Sequence, residues 1–364
     1  MSTTADVPAP HYSGPRRIGG ITRLAANELP HPPPSPVRAA VADNVQLNRY
    51  PDPACTELIA ALAKHLRATP EQIMLGAGAS AILHRLIQIA CTEPDHAVLW
   101  TSPAFAAFDV FARQAGARAQ RVPHAGGETL DLDAMLAAIT PSTRVVVVVN
   151  PHNPTGAIAR QKDLRAFLNQ VPNDVLVVLD EAYREFVTDP HVVDGAELAQ
   201  ARWAAGQENV VVVRTFSKAF GLAATRIGYG IAPVPLARAI RDASVPREIG
   251  AAAQSGAIAA LTHQHAMRHN VARVTAERTR LLTELRRIGY APSESQGNFV
   301  WLPLAEDSGR FAAHCYDDGV LVLDIADHGV RVTVGSPSDN DAFLRAAHTW
   351  VTGHGHILNA PSTL

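Results

Sequence analysis

The stretch Arg214-Thr-Phe-Ser-Lys-Ala-Phe-Gly-Leu-Ala-Ala-Thr-Arg226 follows directly on an apolar run, Val210 to Val213, and breaks it with hydroxyls, one lysine and then an arginine. A short apolar run that ends this abruptly reads as a buried strand opening into a loop. A lysine is by default a solvated surface charge, but Lys218 has company: Thr215 and Ser217 supply hydroxyls beside it, and Arg226 follows eight residues later. Two cations and two donors just past a strand end suit an anionic phosphate. A lysine amine beside a phosphate site is also what an enzyme needs to hold an aldehyde cofactor as a Schiff base.

Working outward, other apolar runs recur at Ile73 to Leu75, Ala97 to Trp100, Ala119 to Val122, Arg144 to Val149 and Leu176 to Leu179, with helical patterns between them. Strands alternating with helices from about residue 70 to 230 predict an α/β fold with a mostly parallel sheet covered on both faces. After Pro233 the pattern changes to long helices. Strands follow at Phe299 to Leu302, Val320 to Leu323 and Val330 to Val334, with a helix near Phe311 to Tyr316, the makings of a smaller α+β domain. The expected organisation is therefore an amino-terminal arm plus part of the small domain over 1–45, a large domain over 46–240 and a small domain over 241–364. Residues 1 to about 20 show no periodicity and read as a flexible arm; Pro36 opens a helix whose apolar face is Val37, Ala40, Val41 and Val45.

Composition narrows the partners. With Lys+Arg at 32 against Asp+Glu at 34, the overall field offers no attraction to nucleic acid. The longest apolar runs fall far short of the ~20 residues of a spanning helix, and the first residues lack a basic start and an apolar middle, so neither membrane nor secretion is expected and the cytoplasm is the default. Cys55, Cys91 and Cys315 are too few and too scattered for a disulfide framework. His265 and His269 share a predicted helix face near His263, but no carboxylate or cysteine completes a ligand set, so no metal is expected.

Gly76-Ala-Gly-Ala-Ser-Ala81, between a strand and a helix, lets backbone NH groups approach a phosphate near Ala79 and Ser80. The same run satisfies G-x-G-x-x-A, so a nicotinamide dehydrogenase stands as a rival reading; against it, Glu93 and Asp95, near the distance of a ribose-binding acid, sit in a TEPD turn. Arg331 lies within a predicted strand, where an inward guanidinium needs a buried anion; a substrate carboxylate and a structural salt bridge both satisfy it.

Taken together, AANELP from Ala25, LNRYPDP from Leu47, GAGAS from Gly76, NPHNPTG from Asn150, DEAYREF from Asp180, RTFSKAFGLAATRIGY from Arg214, QGNFVWL from Gln296 and RVTVGSP from Arg331 resemble, in order and over nearly the whole chain, the fold-type I pyridoxal-phosphate aminotransferases. The resemblance is strongest to their histidinol-phosphate and aromatic branch. It implies pyridoxal 5'-phosphate as cofactor, bound covalently by Lys218, which also moves the substrate α-proton. Asp180, a carboxylate that burial would make costly without a partner, is implied to face the pyridine nitrogen. Asn153 and Tyr183 are implied to share the phenolic oxygen, and Phe105 to stack on the ring. Arg226, Ser217, Thr215 and the backbone at Ala79 and Ser80 are implied to hold the phosphate, together with Tyr50 of the other subunit of a homodimer. Arg331 would grip the substrate carboxylate, and Asn153 would border it.

The chain departs from the branch in the substrate pocket. Relatives with histidinol phosphate as substrate carry an arginine where this chain has Leu323, followed by Asp324; a tyrosine of the early pocket segment is missing, and Leu29 and His31 occupy that neighbourhood. Arg247 and Glu248 add charges where relatives have small polar residues. The expected reaction is transfer of an amino group from an α-amino acid, with an aromatic or imidazole side chain favoured, to a 2-oxo acid such as 2-oxoglutarate. Histidinol-phosphate transamination, and a decarboxylase or racemase on the same fold, are the alternatives; a non-catalytic cofactor-sensing domain lacks any accompanying DNA-binding module.

Overall fold

A computed structural model describes residues 20–43 and 46–354. The expected flexible arm and Val45 lie outside the described residues, apart from Gly20. Twelve strands are described: β1 (Thr22–Arg23), β2 (Ile73–Gly76), β3 (Ala97–Ser102), β4 (Arg118–Pro123), β5 (Thr143–Val149), β6 (Leu176–Asp180), β7 (Val210–Thr215), β8 (Gly228–Ile231), β9 (Phe299–Leu302), β10 (Val320–Leu321), β11 (Leu323–Ile325) and β12 (Gly329–Thr333).

Seven of them form one sheet in the order β2-β8-β7-β6-β5-β3-β4. Its centre is parallel, as the apolar runs predict. Alternate residues explain why: Val146, Val148, Leu179 and Val212 join one apolar cluster, while Val145, Val147, Val178 and Val213 join another. Side chains alternate across a strand, so a run apolar at every position needs cover on both faces. The second face is closed by helix Ala79–Ala90 through Ile82, Leu83, Leu86 and Ile87. The first is closed by helices Thr56–Leu66, Gln161–Leu168 and Gly195–Ala204. Each valine removed from water here contributes about 1.5–3 kcal/mol.

The sheet is mostly parallel, as expected, with one antiparallel strand. β8 runs antiparallel to both β2 and β7. Its four residues, Gly-Tyr-Gly-Ile, carry no apolar run to announce a strand, and the glycines answer to packing. A β-carbon on Gly228 would lie 2.2 Å from Ala79 N, and one on Gly230 would lie 2.2 Å from Val212 O. Only glycine lets this strand pass so closely under the start of helix Ala79–Ala90.

The smaller α+β part carries an antiparallel sheet, β11-β12-β9, and a two-stranded parallel pair, β1-β10. The run Val320 to Leu323 is therefore two strands broken at Val322 and belonging to different sheets. Helices Gln264–Arg287, Ser308–Asp317 and Pro337–His354 complete it. Phe311, fully buried, meets Tyr290, Phe343 and Trp350 edge-on with centroids 5.8, 6.3 and 5.7 Å away. Pairing of β1 with β10 brings the residues after Arg23 up to β12, where Thr333 N donates to Leu24 O. Among the described residues no helix is long and apolar enough to cross a membrane, and the three cysteines are buried free thiols.

Candidate active site

A cavity of about 330 Å³ opens at the carboxyl ends of β5, β6 and β7, where ligands enter open α/β sheets. Its floor comes from Val149, Asp180, Thr215, Ser217 and Lys218; Asn153 follows β5, Tyr183 follows β6, and Ala79, Ser80 and Leu83 come from the start of the glycine-led helix. Phe105, Ala223 and Arg226 line it too, and so does Arg331 from β12. The sequence-derived set is therefore gathered in one place, with four exceptions taken up below.

Lys218 Nζ donates to Ala26 O at 2.9 Å. Burial, with Arg331 and Arg226 nearby, lowers its pKa to about 7, so much of the amine is unprotonated at neutral pH. Arg226 sits at the left-handed φ of 54° and reaches Ser217 Oγ at 3.4 Å and Ala223 O at 3.1 Å. A β-carbon on Gly78 would fall 2.6 Å from its guanidinium, so glycine is what lets Arg226 lie over the helix start. That helix has no side-chain cap. Its first NH groups, the hydroxyls of Thr215 and Ser217 and the Arg226 guanidinium thus surround one end of the cavity as an anion site.

Asp180 is buried and accepts one hydrogen bond, from Ala182 N at 3.1 Å. Burial pushes its pKa up to about 7, with Glu181 adding to the rise. A carboxyl in this setting is completed by a cationic partner. Arg331 is buried on β12; it donates to Asn153 Oδ1 and to Ala25 O, and lies over the Phe299 ring at 5.6 Å.

Four residues singled out from sequence do not line this cavity. Tyr50 is 85 % exposed, with Arg247 over its ring at 5.0 Å. His31 faces a separate groove with Arg273 and Glu277. Leu29 packs beside the loop after Lys218: a β-carbon on Gly221 would touch it at 3.6 Å. Leu323 is paired with Arg331 across β11 and β12 and so shares its face of the sheet. Asp324, one residue on, points the other way, towards Gly309 of helix Ser308–Asp317, and is exposed. Glu248 is held by Arg85. None of Asp324, Arg247 and Glu248 lines the cavity.

Sequence reasoning missed Asn27 and Glu28, which line the cavity, and the carbonyls of Ala25 and Ala26 that hold Arg331 and Lys218. The signal was present in AANELP, but nothing in it tells that this segment crosses the site.

The family profile described as aminotransferase class I and II matches residues 20–346. An aromatic amino acid aminotransferase of Thermobifida fusca is 44% identical over 94% of both chains, and one of Streptomyces coelicolor is 43% identical over 89% of both. A solved histidinol-phosphate aminotransferase of Sinorhizobium meliloti, in complex with pyridoxal-5'-phosphate, superposes with a TM-score of 0.82 at 27% identity, covering 92% of each chain. Fold, motifs and cavity thus converge on one class of protein: the chain belongs to the class I and II aminotransferases, of fold type I. It is a transaminase with pyridoxal 5'-phosphate as cofactor. The residues present fit that group: an anion site at one end, a buried carboxyl with no salt bridge among the described residues, and a lysine amine lining the same cavity.

Proposed function

We propose that the amino donor is an α-amino acid with an aromatic or imidazole side chain and the acceptor a 2-oxo acid such as 2-oxoglutarate. Pyridoxal 5'-phosphate, when bound, supplies an aldehyde that condenses with amines and a ring that spreads the electron pair left by the α-proton. Lys218 holds the cofactor and then moves the α-proton, a task for which an amine titrating near pH 7 is suited. Asp180 keeps a proton on the ring nitrogen. Asn153 and Tyr183 hold the phenolic oxygen, Phe105 supplies an aromatic face, and Ala79, Ser80, Thr215, Ser217 and Arg226 hold the phosphate. Arg331 binds the substrate carboxylate, giving up bonds to Asn153 and Ala25 O.

Convergence of Lys218, Asp180 and Arg331 on one cavity is the observation that carries this reading. For the donor, support comes from the relatives' names at 44% and 43% identity. The cavity walls agree: Lys218, Arg226 and Arg331 are its three cations among the described residues, each with a task already, so none is left for a phosphate on the substrate side chain. The same reading makes the chain a homodimer in the cytoplasm, with Tyr50 completing the second copy's phosphate site. Leu47, Tyr50 and Val245, 94, 85 and 64 % exposed, give it an apolar surface to bury. Its cofactor unit covers 46–240 and its smaller unit 241–364. The test is the first half-reaction with phenylalanine, histidine, arginine and histidinol phosphate. Fastest turnover is expected with phenylalanine or histidine; fastest turnover with histidinol phosphate overturns the donor assignment.

A further inference from the structure

Asn27 is 1 % exposed and adopts φ 53°, a conformation asparagine tolerates better than most residues. Its backbone N donates to Thr333 Oγ1 at 2.9 Å, so that oxygen is an acceptor there and its own hydrogen is directed elsewhere, to Asn27 Oδ1 at 3.1 Å. In this arrangement the amide is oriented: Oδ1 accepts from Thr333, and Nδ2 donates to the Tyr183 hydroxyl at 3.0 Å. Asn298 Nδ2 holds the Asn27 carbonyl at 3.1 Å, and Phe299 packs edge-on against the Tyr183 ring with centroids 5.0 Å apart. This series of bonds starts on β12, where Thr333 and Arg331 share a face, and ends on a tyrosine of the cavity wall.

We infer that Asn27 is a positioning residue: oriented by Thr333, its amide donates to Tyr183 and so fixes that hydroxyl as a donor towards the cofactor's phenolic oxygen. This rests on the reading of Tyr183 given above. A tyrosine oxygen that already accepts a bond turns its hydrogen to another acceptor, and in such a polar network each partner's orientation sets the next. Without the Asn27 donor, Nδ2 no longer holds the hydroxyl to that sense. The strand that carries the carboxylate clamp therefore also sets the hydrogen-bonding sense at the cofactor.

A donor to the phenolic oxygen stabilises negative charge there and lowers the proton affinity of the bound cofactor, which is read as the pH midpoint of its visible absorption. In enzyme loaded with pyridoxal 5'-phosphate, Tyr183→Phe is expected to raise that midpoint by about one pH unit, a tenfold change in proton affinity. Asn27→Gly, which keeps the backbone conformation, is expected to raise it by a smaller amount. The double variant is expected to match Tyr183→Phe alone, because the amide acts only through the hydroxyl. Thr333→Val, which releases the amide while leaving Asn27 in place, is expected to move the midpoint the same way and keeps the test open if Asn27→Gly does not fold. An unmoved midpoint in both single variants, or additive shifts in the double, overturns the role of Asn27. An unmoved midpoint in Tyr183→Phe overturns the reading of Tyr183 itself and the inference with it.

Discussion

Asp180 and Glu181 follow one another at the end of β6, are both nearly inaccessible, and differ in the company they keep. Glu181 accepts from Gly195 N at 2.9 Å and from Arg214 Nε and Nη2 at 2.9 and 2.7 Å, while Arg214 also meets Asp194 at 2.8 Å. Its charge is answered within the protein. Asp180, on the other face of the strand, has one backbone NH. Two adjacent buried acids thus mark two uses of a buried charge: one is completed by the fold and holds it together, the other, on the reading proposed above, is completed by a ligand.

The largest expected effect falls on the ligand side of this divide. Lys218→Ala is expected to lower transamination by about 10⁴-fold or more and to leave no cofactor attached after borohydride reduction. Retained label in the variant would remove Lys218 from its role. Next, Asp180→Asn is expected to slow α-proton removal about 10²–10³-fold in single-turnover experiments. The same change should stabilise the cofactor-free protein. With its pKa raised from 3.8 to about 7, the native state keeps a proton between those values that the unfolded chain has released, so stability falls as pH climbs through the window. Asparagine removes that cost, and denaturant unfolding at pH 8 should show a gain of about 4 kcal/mol that vanishes near pH 4.

Glu181→Gln should do the reverse, costing about 3 kcal/mol in unfolding by leaving Arg214 under-compensated, while the half-reaction rate changes less than about threefold. Comparable rate losses in the Asp180 and Glu181 variants would erase the comparison. Smaller still is the effect of pH on cofactor capture. Since burial lowers the Lys218 pKa to about 7, covalent uptake by cofactor-free enzyme should be flat above that pH and fall about tenfold per unit well below it, followed by absorbance. Finally, equal mixing of Tyr50→Phe and Lys218→Ala chains should recover about a quarter of the activity if sites are shared between copies. No recovery on re-equilibrated mixing would break that arrangement.

Much of this contrast was legible in the sequence. Runs such as Val145 to Val149 and Val210 to Val213 can be soluble only as strands buried on both faces, and groups placed at their ends fall at one edge of the sheet by topology alone. Asp180, Asn153 and Lys218 are readable for that reason. What stayed hidden depends on contacts between distant parts of the chain. The Gly-Tyr-Gly-Ile strand carries too little apolar pattern to declare itself, and its glycines make sense only against Ala79 and Val212. His31 and Leu29 lie near the site in sequence, but the segment after Asn27 carries them away from the cavity. Asn27 matters through Thr333, 306 residues away, a relation no local pattern expresses.

That span has a consequence for the order in which the enzyme is put together. Lys218, Asp180 and the phosphate cradle all belong to one sheet and can assemble from chain between about residue 70 and 230. The segment over the cavity meets that sheet through Ala26 O and Asn27 Nδ2, bonded to Lys218 and Tyr183, but its strand pairing waits for β10 and β12, because β1 is held by Val320–Leu321 and Leu24 by Thr333. Closing a loop of some three hundred residues carries an entropic cost that nearby contacts must already outweigh. On the reading proposed above, the growing chain gathers the groups assigned to the cofactor before the strand that carries Arg331, so the means to select a substrate would be completed last.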